Sequence, residues 1–254
     1  MHILITNDDG IQAKGLRTLS EYCRQAGFQV TVVAPKSEKS ASSHSLTLHK
    51  SIQVDKIAPE EYAVDGTPVD CVVIAANKLL QDKPDLVISG INAGQNMGED
   101  IHYSGTVAAA KEAAFFGCKA IAISINAYRD QLFESAAHWM VKLIQSGIID
   151  TIKDNVLLNV NVPNLPLNDI KGVRLTNTGH RKYYNFIKIV SETPDSFLYQ
   201  IGGDKPVWDK VKGTDAEAVE DGYVSITPLG FEMTKGDAFP LLLEWLEEHG
   251  HSHH

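Results

Sequence analysis

Cysteine, aromatic side chains, positive charge and long apolar runs are all scarce in this sequence, and each scarcity argues against a class of protein. Cys23, Cys71 and Cys118 are the only thiols in 254 residues. Odd in number, far apart and set among apolar neighbours, they argue against a disulfide framework or thiolate metal site and read as small buried hydrophobes. No apolar run is long enough to span a bilayer, and no charged segment with an apolar core precedes the first strand. A cytoplasmic protein without a membrane partner is therefore expected. With 23 Lys and Arg against 32 Asp and Glu, the formal net charge is -9, and no basic block offsets it. That argues against binding long nucleic acid, though not against a small anionic substrate held locally. Without an internal repeat or a Gly-, Pro- or Ser-rich linker, residues 1–248 are expected to form one domain. Four of the ten histidines, His249, His251, His253 and His254, crowd the last six residues. Such a tail, whether an expression-tag remnant or a weak scavenger of transition metals, is expected to be disordered and apart from the fold.

What is present begins at once. Ile3-Leu4-Ile5-Thr6-Asn7-Asp8-Asp9-Gly10 is a short apolar run that fits a buried strand and stops at two adjacent carboxylates and a glycine. Consecutive side chains on a strand point to opposite faces, so Asp8 and Asp9 converge only if the backbone turns just after Asn7, and Gly10 permits that turn. Converging carboxylates repel unless a proton or cation lies between them, and all-oxygen ligands suit Mg²⁺ or Mn²⁺ rather than zinc. The same residues also fit a solvated strand-end turn with an aspartate capping the next helix.

After Gly10, Leu16, Leu19, Tyr22 and Cys23 share a helical face that Gly27 closes before a strand over Val30 to Val33, a βαβ opening. The stretch from Pro35 to Ser45 is too polar for an element and too long for a minimal connection; it fits a functional loop or a flexible surface segment equally. Thr67 as N-cap and Pro68 at the first helical position start a helix with apolar periodicity from Val69 to Leu80. Asp85 to Ser89 suits a central parallel strand. A helix over Val107 to Phe116, a strand over Lys119 to Ile125, a helix over Asp130 to Gln145 and a strand over Val156 to Val162 follow. From Lys171 to Ile201, alternation with Tyr183, Tyr184, Phe186, Phe197 and Tyr199 predicts antiparallel strands projecting as an arm, about residues 180–212, that needs a partner surface. A short acidic helix from Thr214-Asp215, a strand from Gly222 to Thr227 and a last helix from Phe239 to Glu248 with a Leu/Trp face complete an α/β chain.

Gly90 through Gly98, dense in glycine and asparagine, leads through Tyr103 to Ser104-Gly105-Thr106 at a helix start. Unpaired N–H groups and the positive dipole end make such a place a floor for phosphate. An ordinary N-cap on Ser104 would explain one hydroxyl, but neither the second nor the amides of Asn92 and Asn96. No Gly-Lys-Ser/Thr run is present, so this is not a nucleoside-triphosphate P-loop.

These residues taken together closely resemble the SurE (stationary-phase survival protein E) family of metal-dependent nucleotidases, from Ile3 to about Leu229. The resemblance is carried by Asn7-Asp8-Asp9-Gly10, by Asp65-Gly66-Thr67-Pro68-Val69-Asp70-Cys71-Val72, and by Ser89 through Gly98. Tyr103-Ser104-Gly105-Thr106-Val107-Ala108-Ala109-Ala110, Gly213-Thr214-Asp215 and Gly222 to Leu229 extend it. It implies a Rossmann-like, mainly parallel sheet flanked by helices, with an extended hairpin and a C-terminal element that join subunits into a homodimer or homotetramer. It places one divalent metal ion, Mg²⁺ or Mn²⁺, on Asp8, Asp9, Ser40 and Asn92, and the phosphate contacts on Asn96, Ser104, Gly105 and Thr106. The implied reaction is hydrolysis of nucleoside 5′- and 3′-monophosphates, with Asp8 and Asp9 catalytic, water activated by the metal and short polyphosphate a possible side substrate. This chain departs from the family pattern in having Lys39-Ser40-Ala41 where Ser-Gly is common, which leaves the turn after Ser40 less free to enter a left-handed conformation. Lys14, Lys111 and Ala113 also replace commoner residues, none of them a proposed ligand.

Two rivals fit less well. A phosphorylation-driven receiver places its phosphoacceptor aspartate at the end of the third strand, where this chain has Gly90. A phosphatase with an aspartyl nucleophile separates its two aspartates by one residue, and Asp8 and Asp9 are adjacent.

Overall fold

Ile3, Leu4 and Ile5 are all buried, and they divide between two cores. Strand β1 (His2–Thr6) turns Ile3 and Ile5 to one face of a sheet and Leu4 to the other, as a strand covered on both sides must. The computed structural model describes residues 1–182, 187–202, 207–209, 211–234 and 236–250. After β1 come α1 (Lys14–Gln25), β2 (Gln29–Pro35), β3 (Val54–Ala58), β4 (Glu61–Val64), α2 (Pro68–Ile74), β5 (Leu86–Ala93) and α3 (Gly105–Phe115). Then follow β6 (Ala120–Ile125), α4 (Phe133–Gln145), β7 (Val156–Val162), β8 (Val173–Leu175) and β9 (Arg181–Lys182). The chain ends with β10 (Ile187–Thr193), β11 (Ser196–Ile201), β12 (Val207–Trp208), α5 (Asp215–Glu220), β13 (Val224–Gly230) and α6 (Phe239–Glu248).

Nine strands form one sheet in the order β3-β4-β2-β1-β5-β6-β7-β13-β8. Only the β3–β4 and β7–β13 ladders are antiparallel. Leu16 and Leu19 of α1 and Met140 of α4 share a core with Ile3 and Ile5 on one face; Cys71 of α2 and Val107 and Ala110 of α3 pack with Leu4 on the other. Each leucine, isoleucine, valine or methionine among them contributes about 1.5–3 kcal/mol by leaving water. All three cysteines are buried and free. From β1 the chain winds outward through β2, then returns to β5 on the other side of β1 and winds away through β6 and β7. The ends of β1 and β5, with Thr6 beside Ser89, lie at this reversal, the crevice where open α/β sheets bind ligands.

The expected α/β fold is present, and so is the hairpin: β10 and β11 pair antiparallel with every residue exposed. Phe197 and Tyr199 lie on it, whereas Tyr183, Tyr184 and Phe186, like the tail histidines His251, His253 and His254, fall outside the described residues. The final helix α6 is also present, with Phe239, Leu241, Leu242, Leu243 and Trp245 exposed. No helix among the described residues is long and apolar enough to cross a membrane.

Four boundaries differ from the sequence reading. The alternation from Lys171 begins with β8, which runs parallel to β13 at the edge of the main sheet, because period-two patterning does not encode strand direction. The helix expected to reach Leu80 widens after Ile74 into a π turn, Ala75–Leu79, closed by the Leu80 N–H on the Ala75 carbonyl at 3.0 Å. Asp130 takes φ +52° and Asn164 caps the Leu132 N–H at 2.8 Å, so α4 starts only at Phe133. Most consequentially, β5 does not end at Ser89 but continues to Ala93 through a register shift against β6 between Ser89 and Asn92. Such a bulge re-aims the residues beyond it, and bulges gather beside active sites.

Gly90 makes that bulge possible. Its φ is +137°, and a Cβ there would stand 2.2 Å from the Ile123 carbonyl oxygen, a backbone atom that cannot move aside. Gly90→Ala should therefore cost about 3 kcal/mol or more. Gly27→Ala, at φ +87° with nothing within 4 Å, should cost only about 1–2 kcal/mol. Urea unfolding of the two variants measures the difference; equal midpoints would contradict the packing described for β5.

Candidate active site

The end of β1 is closed by its own asparagine. Asn7 is buried, its Nδ2 donating to the Gly10 carbonyl at 3.0 Å and its Oδ1 accepting the Gly10 N–H at 3.2 Å. Gly10 takes φ +102° with the Ser37–Glu38 backbone packed against it, so the turn expected after Asn7 is held from both sides. Asp8 leaves this turn almost completely buried, at 5% exposure, and its Oδ1 accepts the Thr106 hydroxyl. Asp9 is half-buried, and its Oδ2 accepts the Ala93 N–H at 3.3 Å. Burial pushes the Asp8 carboxyl above its usual range, against the pull of the Thr106 hydroxyl. Burial first, and then the charge of Asp8, push Asp9 up to about 6. Neither carboxylate forms an ion pair with a lysine or arginine among the described residues.

Three segments close around the pair. The bulge in β5 brings up Asn92, whose Nδ2 donates to the Gly94 carbonyl at 2.8 Å, leaving its Oδ1 as an available donor atom. The first turn of α3 comes from the other side: Ser104 is its N-cap, accepting the Val107 N–H at 3.1 Å, and the Thr106 N–H also favours a charged Asp8. Gly105 lets this turn approach, since a Cβ there would stand 2.9 Å from Asp8 Oδ2 and 2.7 Å from Ser42 Oγ. The third segment is the polar loop after β2, which the Lys39 N–H ties to the Asp8 carbonyl at 2.7 Å. On it Ser40 is exposed and donates to Glu38 Oε1 at 2.5 Å. Ala41 does enter the left-handed region, at φ +55°, despite its Cβ.

The structure thus brings Asp8, Asp9, Gly105 and Thr106 into contact or near contact, with Asn92, Ser40 and Ser104 at the edges. Asn96 is tied inward instead. Its Nδ2 donates to Ser124 Oγ at 2.8 Å, its N–H to Asn161 Oδ1 at 2.9 Å, and its carbonyl accepts Asn159 at 2.7 Å and Asn161 at 3.0 Å. Sequence reasoning missed Asn159 and Asn161, though two asparagines at i, i+2 on one face of an otherwise apolar strand are a signal that polar work is done there. It also missed Glu38 and Ser42, the latter with a buried hydroxyl oxygen lacking a partner, which nothing in a polar loop distinguishes. Beyond Ser104 opens a cavity of about 480 Å³, running past Val107 and Ala108 to Leu157, Asn177 and Leu229.

Comparison with known proteins shows the family and the fold. The family model described as "Survival protein SurE" matches residues 3–185. The chain belongs to the SurE family. It is 43% identical to the 5′-nucleotidase SurE of Aeromonas hydrophila subsp. hydrophila, over 98% of this chain and all of that protein. It is 42% identical to the 5′/3′-nucleotidase SurE of Klebsiella pneumoniae (strain 342), over 98% of each. The crystal structure of the SurE protein from Aquifex aeolicus superposes with a TM-score of 0.87 at 37% identity, covering 97% of this chain and all of that one.

A SurE-family member is expected to hold a divalent cation, and the residues present fit one. Among the described residues no three His, Cys, Asp or Glu side chains form a ready-made cage. The donors here are mixed oxygens: two carboxylates without a counter-charge, one amide carbonyl and one hydroxyl, a set for a hard cation.

The raised carboxyls carry a stability signature. Asp9 ionises near 3.9 when unfolded but at about 6 when folded, so between those values the folded chain binds more protons. The contribution of Asp9 to the stability of the metal-free protein should consequently fall as pH rises from about 4 to about 6 and stay low above. In urea unfolding with EDTA, Asp9→Asn should raise stability at pH 7.5 by about 1–3 kcal/mol, and the advantage should largely vanish at pH 4. A variant less stable than the parent at pH 7.5 would contradict the strain assigned to this pair.

Proposed function

We propose that this SurE-family chain hydrolyses nucleoside 5′- and 3′-monophosphates to nucleoside and phosphate. The observation that carries the reading is the meeting of Asp8 and Asp9 with the N-terminus of α3, negative charge in want of a cation beside N–H groups suited to an anion. The names of the A. hydrophila and K. pneumoniae relatives support it. One divalent cation per subunit, Mg²⁺ or Mn²⁺, on Asp8, Asp9, Asn92 and Ser40 supplies the Lewis acidity that makes water nucleophilic and draws charge from a phosphoryl oxygen.

The chain's own residues do the rest by positioning. The Thr106 hydroxyl and the first turn of α3 fix Asp8, which keeps its negative charge directed into the site. Asp9, on the more open side of the pair, orients the attacking water, whose proton leaves with the displaced nucleoside oxygen. The Gly105 N–H and the Ser104 hydroxyl hold the phosphoryl oxygens, with Thr106 fixing Asp8 beside them, so that attack at phosphorus displaces the nucleoside oxygen in line. Asn96 holds the loop that carries Asn92 through its backbone and one amide N–H, and its second amide N–H is left to donate to the phosphate. The cavity beyond Ser104 is large enough for a nucleoside, and its Lys111 suits a short polyphosphate as a side substrate. The exposed apolar residues of the hairpin and of α6 are the surface through which copies join as a homodimer or homotetramer, working in the cytoplasm.

With the histidine-rich tail removed, excess EDTA should abolish hydrolysis of nucleoside monophosphates, and Mn²⁺ or Mg²⁺ should restore it where Zn²⁺ does so poorly. Asp9→Asn should lower kcat by about a hundredfold or more. Full turnover in EDTA would rule the proposal out.

A further inference from the structure

A hydroxyl that serves as a neutral cation ligand has one proton and must point it away, because only its lone pairs can face the metal. Ser40 has a recipient for that proton. Its Oγ donates to Glu38 Oε1 at 2.5 Å, a separation typical of a hydroxyl bonded to a carboxylate. The loop carrying both residues is fastened to the aspartate turn at two points: the Ile11 N–H reaches the Pro35 carbonyl at 2.7 Å, and the Lys39 N–H reaches the Asp8 carbonyl at 2.7 Å.

We propose that Glu38 is a positioning residue for the cation site: by accepting the Ser40 proton it fixes the hydroxyl with its lone pairs toward Asp8 and Asp9 and makes that oxygen a better donor. The inference rests on the assignment of a divalent cation to Asp8 and Asp9. Carboxylates play this part behind metal-bound histidines, where their loss weakens metal binding about 10–100-fold. Ser40 stands in the same relation to Glu38, with a hydroxyl in place of the imidazole. Directly after Ser40, Ala41 lies in the left-handed region, a conformation that costs about 1–2 kcal/mol in the isolated backbone and that only surrounding contacts sustain.

The test is Mn²⁺ binding, read from the free-ion electron paramagnetic resonance signal at 0.15 M salt, for the parent, Glu38→Ala, Ser40→Ala and the double variant. Both side chains are exposed on a loop, so all four proteins should fold, and circular dichroism verifies it. Glu38→Ala should raise the Mn²⁺ Kd about 10–100-fold, and in the Ser40→Ala background the same change should matter by no more than about threefold. Glu38→Gln, which keeps an acceptor, should recover part of the loss. An unchanged Kd for Glu38→Ala would overturn the inference, and so would an equal loss with and without Ser40, which would make Glu38 a ligand or a through-space charge instead. A parent protein that binds no Mn²⁺ would overturn the cation assignment itself, a result distinguishable from either.

Discussion

Burial of Asp8 beneath the first turn of α3, with Asp9 at its side, is the constraint around which the rest of the molecule is arranged. Two adjacent carboxylates in a partly dry site repel each other, and a buried charge without a partner costs several kcal/mol. The surroundings reduce that cost without removing it. The Thr106 hydroxyl and the dipole of α3 favour the ionised form of Asp8, and the Ala93 N–H does the same for Asp9, yet both carboxyls remain harder to ionise than in water. Neutral donors leave an unmet demand for positive charge. A site that is strained when empty and relieved by its cation exchanges stability for binding, as functional sites commonly do.

The strain is tolerable because the scaffold is stiff. Ile3, Leu4 and Ile5 anchor β1 in both cores, and Asn7 clamps the turn that follows. The asparagines of β7 hold the Asn96 backbone at its N–H and its carbonyl, so the loop between β5 and α3 is bonded to the sheet rather than merely packed on it. Such contacts fix a loop at the crevice where the sheet reverses direction, beside Asp8 and Asp9.

Much of this was legible in the sequence, for identifiable reasons. Apolar period marks β1, β5, β6 and β7, and Asn7-Asp8-Asp9-Gly10 shows where a buried strand must stop and turn. What was not legible depends on partners far along the chain. The run Gly90-Ile91-Asn92 reads as a loop because glycine and asparagine usually end strands, and only the ladder with β6 keeps it in the sheet. Asn96 reads as a phosphate contact from its neighbours, and its part in clamping the loop emerges only once Ser124 and Asn161 are brought beside it. The Ala in Lys39-Ser40-Ala41 suggests a less left-handed turn, but the contacts of the loop with the aspartate turn override the local preference. Strand direction at β8 and the widened turn after α2 are likewise tertiary outcomes.

The central claim is that Asp9 awaits a cation in place of a proton. Calorimetric titration of Mn²⁺ into the metal-free protein, repeated in buffers of different ionisation enthalpy, counts the protons released on binding. With Asp9 ionising at about 6 and Asp8 also raised by burial, protons should leave on binding at pH 6, and the number per bound ion should fall as pH rises to 8. A proton count that does not change between those values, or a titration without heat of binding, would contradict the account.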